Sequence, residues 1–249
     1  FNTSKKGIAL NLKQPAALEV AKKLLAWCDV ALESFTPGTM NDLGIGYDVA
    51  RELNPGIIMA STCLMGQTGP AAPLAGYGYH AAAISGFYEV TGWPDRPPAG
   101  PFNAYTDTIA PRFLAAAVMA ALEHRRRTGN GQYLEQSQME SALHFLAPEL
   151  LAHQVTGAVP RRDGNNAPDA APHNAYACLG DDQWLAIAVE TDEQWRALRE
   201  TMGNPSWAAD PTFDTLAGRL GGRAAIDVRL SEWTSPQDRY ELMTRLQGA

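Results

Sequence analysis

The chain has 249 residues, of which 45% are hydrophobic and 19% charged, and its 20 basic and 27 acidic side chains leave a formal net charge of −7. This is the composition of a folded protein with a substantial core, in one large or two modest domains, and it excludes both a disordered chain and a small disulfide scaffold. Basic residues are scattered apart from Arg125, Arg126 and Arg127, which argues against a nucleic-acid surface.

In chain order, residues 7–12 read as a short strand, and Pro15 then opens a helix whose apolar stripe is Leu18, Ala21, Leu25 and Cys28. Residues 30–35 predict a second strand, residues 47–53 a short helix closed by Asn54-Pro55, and residues 57–63 a third strand. Strand, helix, strand, helix, strand implies a parallel sheet with right-handed crossovers, and such sheets bind ligands at the carboxyl ends of their strands. Residues 66–111 are rich in Gly and Pro and predict a long functional loop system. A helix over about 110–127, started by Pro111 and stopped by Gly129, follows; a brief strand at 132–135 leads to a helix over about 138–156, where Ser137 and Glu140 have capping-box spacing.

Residues 157–173 read as a surface linker, so the expected division is a large α/β domain at 1–160 and a smaller α+β domain at 161–249. Within the latter, residues 175–179 and 184–189 flank a turn as a hairpin. Thr191 and Gln194 have capping-box spacing, and helices near 222–232 and 236–247 complete the unit, the last opened by Ser235 and Pro236.

No span for a membrane is expected, because the longest apolar run, Phe113 to Leu122, is ten residues against the ~20 that a bilayer requires. Cys28, Cys63 and Cys178 form neither a metal-ligand pair nor an even disulfide framework, which fits a reducing cytoplasm, and no metal site is expected. His144 and His153 lack a partner at metal-ligand spacing, and His124 with the three arginines suits a helix C-terminus. Neither a Gly-x-Ser-x-Gly elbow nor a His-Glu-x-x-His pair occurs, and Gly44-Ile45-Gly46 is not followed by the third glycine of a dinucleotide fingerprint. The chain starts at Phe1 and stops where a helical pattern meets Gly248, which reads as a fragment or processed chain.

The most informative stretch is Tyr105-Thr106-Asp107-Thr108 before the apolar helix. Read locally, Asp107 or Thr108 is a helix N-cap. Alternatively Asp107 is a reactive carboxylate, kept ionised and oriented by the helix's free amides.

Several segments favour the second reading. Asn2 to Leu12, Asp29 to Gly38, Leu43 to Tyr47, Gly66 to Pro70, Gly76-Tyr77, Ser85-Gly86, Asp107, Arg125 to Gln132 and Met139-Glu140 follow one another in an order and spacing that resemble the class III CoA-transferase family, the CaiB/BaiF group. The resemblance covers nearly the whole chain and implies a parallel, Rossmann-like sheet domain with a second, smaller α+β domain. It also implies that Asp107 is the nucleophile of reversible CoA transfer between an acyl-CoA donor and a small carboxylic acid, through an aspartyl-CoA intermediate.

Coenzyme A would be a co-substrate, with no tightly bound cofactor, and its contacts fall on Leu10, Lys13, Ser34, Phe35, Thr36, Tyr77, Gly78 and Tyr79. Ser34 stands where the family usually has Asn, Thr36 where it often has Arg, and Gly78 where it often has an acid. Lys5, Lys6 and Lys13 are candidates for phosphate. Gly66, Gly69, Gly76, Gly78, Gly86 and Gly100 are candidate oxyanion donors, with simple turn formation as the plainer reading of each. The resemblance further implies an interlocked homodimer.

A related branch racemises 2-methylacyl-CoA esters with a His–Asp pair, but here the His position is Tyr77, with His80 in reserve. A third alternative is an inactive, truncated relative serving as an interaction subunit.

Overall fold

The computed structural model describes residues 2–249 and divides into two compact units, the first ending at Arg162 and the second comprising Asp163–Ala249. The first unit contains α1 (Pro15–Trp27), β1 (Val30–Glu33), α2 (Thr39–Asp42), α3 (Tyr47–Leu53), β2 (Ile58–Cys63), α4 (Gly78–Ser85), α5 (Phe87–Val90), α6 (Tyr105–Thr128), β3 (Gln132–Ser137), α7 (Gln138–Leu143) and α8 (Ala147–Thr156). Its strands form a parallel sheet in the order β1-β2-β3, with Val30 opposite Ile58 and Ile58 opposite Gln132.

Alternation along β2 explains the layering. Met59 packs with Leu25 of α1 and Ala50 of α3 on one face, while α6 covers the other. Successive strand residues point to opposite faces, so a centrally buried strand needs apolar residues on both, and Ile58, Met59 and Ala60 supply them. A second cluster, Ala82, Phe87, Ile109, Ala142 and Leu146, joins α4, α6 and α7.

Four expectations change in this unit. Residues 7–12 are not a strand: among the described residues they pair with no neighbour, and Ile8 is exposed. A strand exists only through its ladder, so an apolar run without a partner stays irregular. Residues 66–111 are not all loop, since α4 and α5 lie inside them. The sequence Gly-Tyr-His-Ala-Ala-Ala-Ile-Ser carries almost no amphipathic stripe, because it is its small residues Gly78, Ala81, Ala82 and Ser85 that are buried. Third, α6 starts at Tyr105 and contains Pro111, rather than starting there.

The helix expected over 138–156 is divided by a 3-10 turn at His144–Leu146. Pro148 sits in the first turn of α8, where its missing N–H cannot continue a ladder from α7. Ser137 caps α7 as expected, accepting from the Glu140 amide at 3.2 Å.

The second unit holds β4 (His173–Ala177), β5 (Trp184–Ala188), α9 (Asp192–Thr201), α10 (Leu216–Thr234) and α11 (Arg239–Gln247). The two strands form an antiparallel hairpin, and Tyr176, Ile187, Trp195, Leu198, Ile226 and Leu230 make the core. Thr191 and Gln194 form the reciprocal box, each amide donating 3.2 Å to the other's side chain. Arg219 is fully buried; it donates to Ala171 O and to Asp192 Oδ1 and lies over the Trp195 ring. Asp238, rather than Ser235, caps α11.

Candidate active site

The placement of Asp107 follows from how α6 is fixed at its other end. Gly129 adopts φ 78°, a left-handed cap that a side chain would strain, and its amide donates to Arg125 O. Arg125 Nη1 reaches Asp29 Oδ1 at 3.0 Å, Asp29 O at 3.4 Å and Gly56 O at 3.3 Å, at the amino ends of β1 and β2. With its C-terminus tied there, α6 runs antiparallel to the strands and delivers its first turn to their carboxyl ends. Gln136 near the end of β3 secures the crossing, donating to Ala110 O at 2.8 Å and accepting from Thr62 Oγ1 at 3.3 Å.

At that end, Ala104 is the N-cap position and offers no side-chain cap, so the local reading of Asp107 or Thr108 as N-cap is corrected: both lie within the first helical turn. Asp107 is exposed, and its Oδ2 accepts a hydrogen bond from the Gly78 amide at 3.3 Å. The carboxylate thus belongs to the first turn of α6, where the helix dipole favours negative charge, and meets the first amide of α4. Pro111 is four residues on and has no N–H, which leaves the Asp107 carbonyl without its helical donor.

At the carboxyl end of the sheet lies a cavity of about 210 Å³, whose walls include Ser34, Phe35, Thr36, Cys63, Gly76 and Gln138; Asp107 is not among the residues that line it. Gln138, on the cavity wall, has its Oε1 3.3 Å from the hydroxyl of buried Thr106, the residue before Asp107, and that hydroxyl is 3.1 Å from Gly78 O. Ser34, Phe35 and Thr36 therefore come together with the ends of β2 and β3, whereas Leu10 and Lys13, in the irregular segment before α1, do not line this cavity. Tyr77 and Tyr79 flank buried Gly78 and point outward, Tyr77 with 74% exposure. Gly66, Gly69 and Gly86 take left-handed turns; Gly78 does not.

Two residues outside the sequence reading shape this region. Glu135 Oε1 accepts from the amides of Gln67 and Thr68 at 2.7 and 2.9 Å, holding the Gly66–Pro70 loop over the sheet end. Gln138 is the other; in sequence it is one more residue at a helix start, and nothing in its spacing signals a link to Thr106. Cys63 also borders the cavity, but burial pushes its thiol up from the ordinary value, only partly offset by the backbone amides of Gly66 and Met65. It is a poor competitor as a nucleophile at neutral pH.

His80 Nδ1 accepts the Tyr77 amide at 3.1 Å, so its ring serves the start of α4. Among the described residues no group of three or more His, Cys, Asp or Glu side chains could hold a metal ion, and no helix is long and apolar enough to cross a membrane.

A sequence profile for CoA-transferase family III matches residues 1–249. Among curated proteins, the chain is 35% identical over 231 residues to a succinyl-CoA:D-citramalate CoA-transferase of Chloroflexus aurantiacus, covering 93% of this chain and 57% of that protein. It is 30% identical over 243 residues to a succinate:glutarate CoA-transferase of Agrobacterium fabrum, covering 98% and 60%. Among solved structures, a CaiB/BaiF family protein from Brucella suis superimposes with a TM-score of 0.89 at 30% identity, covering 98% of this chain and 64% of that one. The chain thus spans about three fifths of the length of these relatives. Profile, relatives and fold agree with the parallel sheet and the separate antiparallel hairpin, and the chain belongs to CoA-transferase family III.

Proposed function

We propose that this chain carries the nucleophile of a CoA-transferase that moves CoA reversibly from an acyl-CoA to a small carboxylic acid. The observation that carries the reading is the exposed Asp107 carboxylate in the uncapped first turn of α6, held by the Gly78 amide at the carboxyl end of the sheet. An Asp Oδ attacks the thioester carbonyl carbon; the C–S bond breaks, CoA leaves as thiolate, and a mixed anhydride remains. The thiolate then attacks Cγ, releasing the donor acid as carboxylate and leaving an aspartyl-CoA thioester. An acceptor carboxylate repeats the first step on that thioester, and the returning thiolate takes the acceptor acyl group and restores Asp107. No proton is consumed, and each intermediate retains the activated acyl bond, which a serine ester would not.

Ser34, Phe35 and Thr36 are the contacts for CoA that the cavity supports best, with Gly76 and Gln138 added. Leu10, Lys13, Tyr77, Gly78 and Tyr79 complete the proposed set, and the first unit is the CoA-binding one. Relatives named for succinate, glutarate and citramalate favour dicarboxylic acids as substrates. Exposed apolar side chains on α6 and α8, among them Met119 and Val155, are surface that a homodimer would cover. The three unpaired cysteines suit the cytoplasm. The racemase reading gains nothing, because Tyr77 stands where its base would be and His80 Nδ1 is engaged.

The test is mass spectrometry of the chain after incubation with succinyl-CoA and borohydride or hydroxylamine trapping. A modification confined to Asp107, lost in Asp107→Ala with the circular dichroism unchanged, is expected. An adduct that persists in that variant removes the assignment.

A further inference from the structure

The contact between Asp107 and residue 78 depends on residue 78 having no side chain. Gly78 is buried at the first position of α4, and its amide reaches Asp107 Oδ2 at 3.3 Å. A Cβ built there would lie 2.8 Å from Asp107 Cγ and Oδ2 and 3.0 Å from the Asp107 backbone nitrogen. The carboxylate could swing away from such a methyl group; the backbone nitrogen could not, because Thr106 beside it is fully buried and its hydroxyl holds Gly78 O at 3.1 Å. In this chain's packing, therefore, a methyl group at 78 displaces the carboxylate or parts α4 from α6.

We propose that Gly78 is a positioning residue: lacking a Cβ, it lets the Asp107 carboxylate lie against the start of α4, where one backbone amide fixes Oδ2. Among the described residues no donor engages Oδ1, which is left free to attack. The bond to Oδ2 holds that oxygen toward the start of α4, and placement of a reacting group of this kind bears on the rate of an attack. The catalytic consequence rests on the reading of Asp107 as nucleophile; the contact itself does not.

Two measurements separate them. In the chain labelled with 15N-glycine, the Gly78 amide proton is expected to move upfield in Asp107→Ala while Gly86, at the far end of α4, keeps its position. In acylation at saturating succinyl-CoA, Gly78→Ala is expected to slow Asp107 modification about 10- to 100-fold. Thr106→Val, which leaves residue 78 without a side chain but removes its latch, should lie between, and Thr106→Ser should restore the rate.

An amide that does not move, in a chain whose Asp107 is modified, overturns the positioning role and leaves the nucleophile standing. Equal modification rates in Gly78→Ala and the parent chain overturn it as well. An amide that moves in a chain that never forms an adduct sustains the contact and removes the transferase reading instead.

Discussion

The two ends of α6 are built in opposite ways. At the C-terminus three arginines complement the helix dipole, Gly129 closes the last turn, and Arg125 is spent on three acceptors at the amino ends of the strands. At the N-terminus there is no side-chain cap, Pro111 withholds a donor from the second turn, and a carboxylate stands exposed with a single long hydrogen bond. A helix end that satisfies its own polar groups has nothing left to offer a ligand, whereas one left incomplete can complete itself on a substrate. The comparison teaches that α6 is anchored at one end so that it can remain unfinished at the other.

The largest effect expected is at the open end: Asp107→Ala should lose all covalent acylation and leave the unfolding midpoint nearly unchanged, as chemical denaturation alongside mass analysis would show. If stability fell as well, the residue would be helping to hold the helix and the contrast would weaken. At the closed end, Arg125→Ala should cost about 1 to 2 kcal/mol of stability, because the bonds from one partly buried guanidinium are lost while Asp29 remains in water. That variant should leave the rate of Asp107 modification, corrected for folded fraction, unaltered.

Pro111→Ala should stabilise the chain by about 1 kcal/mol, since it supplies the Asp107 carbonyl with a helical donor. A better-finished N-terminus should also acylate more slowly, which stopped-flow or quenched-flow kinetics would resolve.

The smallest effect concerns Cys63 at the cavity. Burial raises its thiol's pKa, so the neutral form is the one favoured in the folded chain, and that preference fades as pH climbs through the raised value. Iodoacetamide should modify it slowly at pH 7 and faster only above the ordinary range of a free thiol, and bound CoA should slow it further.

Much of the first unit was legible from residue order. Pro15 opening α1, Asn54-Pro55 closing α3 and the apolar residues of β2 are local signals with local causes, and the helix and strands fall within a few residues of expectation. The small helix α4 was not legible, because periodicity reports one buried stripe and α4 is packed through small residues instead. Nor was the start of α6: a proline reads as a helix opening, and only packing of Thr106 and Ile109 against α4 and α7 makes the extra turn worth forming. For the same reason the local reading made Asp107 a cap, when it lies within the first turn.

The order of residues alone determined that this chain folds as a parallel α/β unit followed by a smaller α+β one, and that an aspartate before an apolar helix deserved a chemical reading. Those conclusions rest on hydrophobic period and turn chemistry, which act over a few residues at a time. Tertiary structure decided what Asp107 faces. That Gly78, 29 positions earlier, supplies its hydrogen bond, that Gln138 meets the neighbouring Thr106, and that Arg125 anchors the far end of α6 all depend on groups distant in the chain meeting, and no local pattern encodes such encounters.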